Sequence, residues 1–97
     1  MRVHWLAQAL TDTRDIYRYI AVDNPAVAKQ VVRTIRQVAS TLGSLPHRGR
    51  IGRWPGTREL IVQGTPYIIP YRARENSIEI LRVIHGSREW PDRDPVE

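Results

Sequence analysis

The sequence predicts an α+β domain of element order β-αα-βββ, in which a helical hairpin packs on one face of an antiparallel sheet. Three observations predict this fold class. The chain is 97 residues long, which suits a single hydrophobic core. Apolar residues recur at helical spacing through residues 7–42 with a break at 23–25, and strand-like runs follow from residue 58. We therefore treat 1–97 as one domain and expect a loose tail over 91–97, where prolines lie among charges.

The first half of the chain predicts a short strand followed by two antiparallel helices. Residues 2–6 alternate loosely between apolar and polar side chains, as in an opening strand. Helical spacing predicts one helix over 7–22 and a second that runs to residue 42. Between them, Asn24 is a good N-cap, and Pro25 suits the first helical position because its missing N–H needs no partner there. Gly43 then supplies the stop of the second helix.

The second half has the pattern of a sheet. A basic loop rich in glycine and proline spans 45–56, and strands are predicted at 58–63, 66–72 and 77–85. The last of these runs has apolar residues on both faces, which indicates a central strand. Pro70 cannot donate to a β-ladder, so its strand should be an edge or be locally broken at that residue.

Composition excludes several classes of site. The chain has no cysteine, so a disulfide scaffold, a thiolate zinc site and a cysteine nucleophile are excluded, and a reducing cytoplasm is the expected compartment. His4, His47 and His85 lack metal-ligand spacing, so we expect no metal and no cofactor. No apolar run approaches the roughly 18 residues of a membrane span and no signal peptide opens the chain, so we expect no membrane partner.

Charge is the first specific indication of function. The formal net charge is +5 and the pI is about 10.4, and Lys29 is the single lysine among 15 basic residues. Arginine suits phosphate and carboxylate partners, although a GC-rich genome would produce the same bias. Residues 48–88 hold eight arginines and three glutamates, which favours a polyanion-binding sheet surface over a scattered solvated coat. The candidate binding residues on that surface are Arg48, Arg50, Arg53, Arg72, Arg74 and Trp90, whose indole could stack on a base.

A second group of residues would suit RNA cleavage without a metal. That reaction needs a base for the 2′-hydroxyl, an acid for the leaving oxygen and a cation for the phosphate. His85 or Glu59 would serve as base or acid, and the candidate cations are Arg58, Arg82 and Arg88. Arg58 and Glu59 point to opposite faces of their strand, so they form no simple dyad. The alternative interpretation is structural: His85 caps or packs against Trp90, and the arginines pair with nearby glutamates.

Several runs of residues, in chain order, together resemble a known toxin superfamily. They are Ala9-Leu10 with Asp12, Asp15-Ile16, Tyr19-Ile20-Ala21, Asp23-Asn24-Pro25, Pro46-x-x-Gly49-Arg50, Gly56-Thr57-Arg58-Glu59-Leu60, Pro66-Tyr67-Ile68-Ile69, Tyr71-Arg72 and Ile80-Leu81-Arg82-Val83-Ile84-His85-Gly86. The series covers nearly the whole chain and resembles the RelE/ParE superfamily. This resemblance implies the β-αα-βββ fold and the toxin half of a bacterial type II toxin–antitoxin pair. It also implies a cognate antitoxin that wraps the groove and sheet in a hetero-oligomer.

The superfamily divides by target. RelE-like members cleave mRNA in the ribosomal A site, whereas ParE-like members poison DNA gyrase. This chain has Ile68 where RelE-like members commonly carry an arginine, and it lacks their lysine pairs. Its long helical hairpin and proline-containing tail look more like ParE, whereas Arg82, His85 and Arg88 lie where RelE-like members keep part of their active site. We therefore expect a gyrase inhibitor, with an mRNA endonuclease as the alternative and a non-toxic RNA- or protein-binding module as a third hypothesis.

Overall fold

The computed structural model describes residues 1–95 as a helical hairpin packed on a sheet. The helices are α1 (Ala7–Ala21) and α2 (Pro25–Ser40), and a 3-10 turn (Thr41–Gly43) follows them. The strands are β1 (Arg2–Trp5), β2 (Arg50–Ile51), β3 (Arg58–Ile61), β4 (Tyr67–Ala73), β5 (Ser77–Ile80) and β6 (Ile84–His85). Within this part of the chain neither helix has the length and apolar character needed to cross a bilayer.

The helical hairpin forms where the sequence predicts it. The Asn24 side chain accepts a hydrogen bond from the Val27 backbone N–H at 3.2 Å, and Pro25 opens α2. This cap satisfies one of the donors that the first turn of a helix leaves unpaired. The two helices pack against each other, and α2 buries Ile35 and Ala39 toward the sheet. Val27, in the first turn of α2, is 41% exposed.

The sheet is mixed, so the prediction of an antiparallel sheet was wrong for one strand pair. The strand order is β1-β5-β4-β3-β2, with β6 also pairing to β4. β1 runs parallel to β5, from Arg2 opposite Ser77 to Trp5 opposite Ile80, whereas the other pairs are antiparallel. A parallel pair needs a long crossover connection. Here the whole helical hairpin and three strands lie between the two members of the pair.

The predicted strand at 77–85 is divided into β5 and β6. This division explains how an interior strand can contain Pro70. β4 is an interior strand and is continuous through Pro70, so neither the edge nor the break in that strand was correct. The Pro70 carbonyl accepts hydrogen bonds from the N–H groups of Leu81 at 3.0 Å and Arg82 at 3.5 Å. Two residues therefore face one, as in a β-bulge. The N and C=O of one strand residue point the same way, so the missing N–H of Pro70 faces this irregular segment and costs no ladder bond.

The main core lies between the helices and the sheet, where Ile69, Tyr71, Ile78 and Ile80 are fully buried. The opposite face of the sheet, which we call the open face, carries Arg50, Glu59, Pro70, Arg72 and Glu79 in neighbouring register positions. A smaller buried cluster on this side consists of Leu6, Trp54, Leu81 and Ile84, with Trp90 packed against it.

The tail does not begin as the loose segment that the sequence predicted. The Trp54 indole N–H donates to the Pro91 carbonyl at 2.9 Å, and Asp94 forms an ion pair with Arg72. The first part of the tail is thus attached to the open face, and the remainder of the predicted loose segment, 96–97, lies outside the described residues.

Candidate functional site

A groove of about 660 Å³ separates α1 from the chain that follows β5. Of the residues that the sequence singled out, it brings together Arg82, His85, Arg88 and Trp90. The α1 side contributes polar and aromatic residues, and β4 contributes an aromatic ring: these are Asp12, Asp15, Tyr19 and Tyr67. Neither Arg58 nor Glu59 lines it. Of the described residues, no group of three or more His, Asp or Glu is arranged to hold a metal ion.

Asp12 holds the Arg82 guanidinium in an ion pair at this groove. The Asp12 carboxylate accepts hydrogen bonds from the Arg82 guanidinium at 2.7 and 3.0 Å and from the Val83 backbone N–H at 2.9 Å. Asp12 is 8% exposed, so this pair is largely removed from water. Arg82 is therefore engaged in joining α1 to the β5–β6 segment. The spacing of Ala9, Asp12 and Ile16 along one helical face was the available signal, since it places a carboxylate on the core side of α1.

His85 is held in one orientation by the residue two positions later. Its Nδ1 accepts a hydrogen bond from the Ser87 backbone N–H at 3.1 Å, and the Ser87 hydroxyl lies 2.8 Å from the same nitrogen. Because a backbone N–H can only donate, Nδ1 is an acceptor, and a neutral His85 carries its proton on Nε2. The imidazole also meets the Tyr67 ring edge-on, with centroids 5.7 Å apart. In this arrangement neutral His85 presents an N–H donor, which suits the binding of an anion, whereas an acid role would require a proton on Nδ1, where the Ser87 N–H now donates.

Arg88 and two tyrosines complete the basic end of the groove. The Arg88 guanidinium lies 6.0 Å from the ring centroid of Tyr19, which is 70% exposed on α1. Burial raises the pKa of the Tyr67 hydroxyl above its ordinary value, and the charge of Arg88 offsets only part of that effect. Tyr67 is therefore a neutral hydroxyl at physiological pH. Sequence reasoning did not identify Tyr67, because a tyrosine in a buried strand has the pattern of a core residue.

Glu59 lies on the open face, where it holds two arginines of the basic loop. Its carboxylate accepts from Arg50 at 3.0 Å, from the Arg53 side chain at 3.0 Å and from the Arg53 backbone N–H at 2.8 Å. Burial on its own would raise the pKa of Glu59, but the hydrogen bonds from Arg53 and Arg50 outweigh it and the pKa lies below the ordinary value. Glu59 is thus a buried anion that anchors a loop. Both arginines therefore pair with a nearby glutamate, as in the structural alternative.

Arg58 lies on the helix side of the sheet and also fastens the loop. Its guanidinium donates to the Gly49 carbonyl at 2.9 Å. Beside it, the Tyr71 hydroxyl accepts from the Gly49 N–H at 2.9 Å and donates to the Pro46 carbonyl at 2.8 Å. Tyr71 is fully buried, so its hydroxyl replaces water for two backbone groups of the loop. The sequence did not single out Tyr71, because its hydroxyl partners lie more than 20 residues away.

The remaining candidate binding residues do not form one free basic surface. Arg72 pairs with Asp94, Arg74 pairs with Glu79 at 3.1 Å, and Arg48 donates to the Thr41 hydroxyl at 2.8 Å. The sheet is also not the sole basic region. Residues 1–43 hold six basic and three acidic side chains, and a second groove of about 490 Å³ on the helical hairpin has an apolar floor and a basic rim. Its lining includes Trp5, Leu10, Tyr17, Val32, Arg14, Arg18 and Arg36.

Comparison with known proteins places this architecture in one family. The family model of the ParE toxin of the type II toxin–antitoxin system, parDE, matches residues 3–90. The protein Y4kP of Sinorhizobium fredii, whose name describes it as a toxin, is 41% identical to this chain over 90 residues, which cover 93% of each chain. Toxin RelE2 of Caulobacter vibrioides is 32% identical over 87 residues, covering 90% of this chain and 97% of that protein.

The fold itself also has a solved counterpart. The chain is similar to a structure described as the chromosomal ParDE TA system from P. aeruginosa, with a TM-score of 0.79 and 28% identity over 88% of this chain and 95% of that one. Two helices packed against a mixed sheet are common to both. By its family model, its relatives and its fold, this chain belongs to the ParE toxin family and is the toxin of a type II toxin–antitoxin system.

Proposed function

We propose that this toxin acts in the cytoplasm by binding DNA gyrase and blocking its reaction, and that it does not cut RNA. One observation carries the proposal: the groups that cleavage needs are separated. Glu59 is bound by Arg50 and Arg53 on the open face, and Arg58 lies on the helix side of the sheet. Metal-free cleavage requires a base, an acid and a cation within reach of one phosphate. Of the two candidate bases, Glu59 therefore lies outside the groove, and His85 presents a hydrogen-bond donor there.

Arg82 adds to this argument. Its guanidinium faces the Asp12 carboxylate, which neutralises it across the groove. A cation that stabilises a developing phosphate charge must be free to turn toward it, and that turn would leave a buried carboxylate unpaired. The match to the ParE family and to a ParDE structure supports the same target class.

An mRNA endonuclease remains the second candidate, and one feature favours it. His85 and Arg88 lie at the same groove as the Tyr67 hydroxyl, so three hydrogen-bond donors are close to one another. The name of the relative RelE2 points in the same direction. In this alternative His85 would serve as the acid after protonation of its Nδ1, and Arg88 as the phosphate clamp, with a base supplied from outside this group.

A cognate antitoxin is the expected partner of a toxin of this class, and the groove on the helical hairpin suits it. Trp5, Leu10 and Val32 offer an apolar floor, while Arg14 and Arg36 stand at the rim. An amphipathic helix with acidic flanks would match both features. We propose that the antitoxin occupies this groove in a toxin–antitoxin hetero-oligomer.

The deciding experiment compares the two targets with one protein preparation. Purified toxin is added to gyrase with relaxed plasmid and, separately, to a translating extract whose mRNA ends are mapped. We expect inhibited supercoiling or trapped cleaved DNA, and unchanged mRNA ends. Normal supercoiling together with codon-linked cuts would assign the endonuclease instead. The control is toxin mixed beforehand with its antitoxin, which should be inactive in both assays.

A further inference from the structure

The outer surface between α1 and α2 carries cations from both helices, and we call it the hairpin seam. Arg14 and Arg18 contribute from α1, and Lys29 and Arg36 contribute from α2. The groove of about 490 Å³ lies at one end of this seam, and a shallower hollow of about 400 Å³ lies at the other. Tyr17 and Arg36 line both, so the two form one continuous trough with cations on either side.

The charge of the hairpin seam is not neutralised by the carboxylates of the helices. All four cations are exposed, and none of them forms an ion pair with another residue of the described range 1–95. Asp12 is buried against Arg82, and Asp15 lines the groove between α1 and the segment that follows β5. On the open face, by contrast, glutamate and aspartate side chains pair with the arginines. The seam is therefore a surface of free positive charge.

The spacing of these cations suits a phosphate backbone laid along the seam. Positions 14 and 18, like positions 29 and 36, fall on one face of their helix. At a rise of 1.5 Å per residue, Arg14 and Arg18 stand about 6 Å apart along α1, and Lys29 and Arg36 about 10 Å apart along α2. One strand of DNA carries a phosphate about every 3.4 Å along the helix axis. The two rows of cations can thus reach several successive phosphates from both sides.

The aromatic rings of the seam favour a duplex over a single strand. Surfaces that bind single strands combine cations with aromatic rings on which unpaired bases stack. Tyr17 and Trp5 are the rings that line the trough, and both are half-buried among their neighbours. The bases of a duplex are already stacked inside it, so its backbone needs only the cations.

We infer that the hairpin seam binds the phosphate backbone of duplex DNA without reading its sequence. The free toxin would then hold the DNA on which its target works, and this purpose, although not the contact itself, rests on the proposed inhibition of gyrase. Arg14 and Arg36 also form the rim of the groove that we propose for the antitoxin. DNA and the antitoxin should therefore exclude each other from the seam.

The test measures binding of the full-length protein to a fluorescent duplex of about 20 base pairs by anisotropy, between about 50 and 200 mM salt and without gyrase. Replacing Arg14→Gln together with Arg36→Gln removes one cation from each side of the seam. We expect about a tenfold loss of affinity at low salt, and a slope of log affinity against log salt that falls by about 2. Replacing both residues by lysine keeps the charges and should preserve the slope, because an ammonium group also binds phosphate.

The matched control is Arg2→Gln together with Arg93→Gln, which removes the same two charges at exposed positions outside the hairpin. At about 150 mM salt, where distant charges are screened, its affinity should change by less than about twofold. Circular dichroism of each variant checks the fold.

Four results would overturn the inference. Equal losses in the two glutamine double variants would show that DNA responds to net charge and not to the seam. A loss in the lysine variant as large as that in its glutamine counterpart would exclude a contact through charge. Tighter binding of a single strand of equal length would assign the seam to unpaired bases. Absence of duplex binding at the lowest salt would remove the DNA contact, whereas inhibition of supercoiling, which is measured separately, would still stand.

Discussion

Asp12 in α1 and Arg82 after β5 form a bidentate pair that joins two elements 70 residues apart in the sequence. The same carboxylate also accepts the Val83 backbone N–H, so one side chain satisfies a charge and a main-chain donor. This pair makes one wall of the groove rigid.

Replacing Asp12 should therefore destabilise the fold. Asp12→Ala leaves Arg82 and a buried N–H without their partner, and we expect a loss of about 2–4 kcal/mol in the free energy of unfolding. Urea denaturation measures the loss. Asp15→Ala, an exposed position on the same helix, is the matched control and should change stability by less than about 0.5 kcal/mol. Similar values for the two variants would contradict the assigned role.

Stability should depend on pH through Glu59. Its pKa is lower in the folded protein than the ordinary value of 4.5, so its contribution is fully present above that value and is lost as pH falls through the folded pKa. We expect the stability difference between the native protein and Glu59→Gln to be constant near neutrality and to shrink below about pH 4.5. Thermal unfolding across the acid range measures it. A difference that grows as the pH falls would reverse the sign that we assign.

Tyr71→Phe should release the loop that follows α2. The change removes the hydroxyl that pairs with the Gly49 N–H and the Pro46 carbonyl, at a cost of about 1–3 kcal/mol. Hydrogen exchange at the Gly49 amide should accelerate more than exchange in α2. Tyr19→Phe, at a ring that is 70% exposed, provides the control and should leave both measurements unchanged. Unchanged protection of Gly49 in Tyr71→Phe would remove the proposed link.

Alanine should destabilise the fold at both Gly49 and Gly56, but for different physical reasons. At Gly49 an added Cβ would come within 2.7 Å of the Tyr71 ring and 2.8 Å of the Glu59 carbonyl, so we expect a loss of about 2 kcal/mol or more. At Gly56 an added Cβ would meet no atom within 4 Å, but φ is +71°, which disfavours any residue with a side chain. Alanine there should lower the free energy of unfolding by only about 1 kcal/mol. Denaturation midpoints of the two variants should fall in that order, and the reverse order would contradict the steric argument.

Arg88→Ala should weaken inhibition of the target without lowering the stability of the fold. Arg88 contacts the exposed Tyr19 ring, so its loss should leave the melting temperature nearly unchanged. If the groove meets the target, inhibition should weaken by about tenfold, the effect of removing one arginine from an interface. Arg33→Ala, at an exposed position of α2, should keep full inhibition. Full inhibition by the Arg88→Ala protein would move the target contact away from the groove.

Local chemistry was sufficient to predict the helical half. The Asn24 cap and Pro25 act on the backbone beside them, so the hairpin could be placed from neighbouring residues alone. Two parts of the sheet could not be predicted in that way. The parallel pairing of β1 depends on a partner near the other end of the chain, and the division at Pro70 depends on how Leu81 and Arg82 meet one carbonyl.

The contacts of the candidate site were likewise predictable only where they join residues that are close in the sequence. Arg82, His85 and Arg88 lie close in the sequence, and all three line the groove. The partners that decide their roles come from distant segments: Asp12 for Arg82, and Tyr19 for Arg88. Residue type indicated a possible catalytic group, whereas only the packing of α1 on the sheet shows which cations are already neutralised.

The pairing of β1 with β5 has a consequence for how the toxin is made. Of the described elements, β1 is synthesised first, and its partner β5 follows the helical hairpin and three further strands. The helical hairpin can form early from local contacts, but the sheet cannot close until β5 has been released. The groove and the open face both require that closed sheet. A nascent chain that has not yet reached β5 should therefore lack both surfaces.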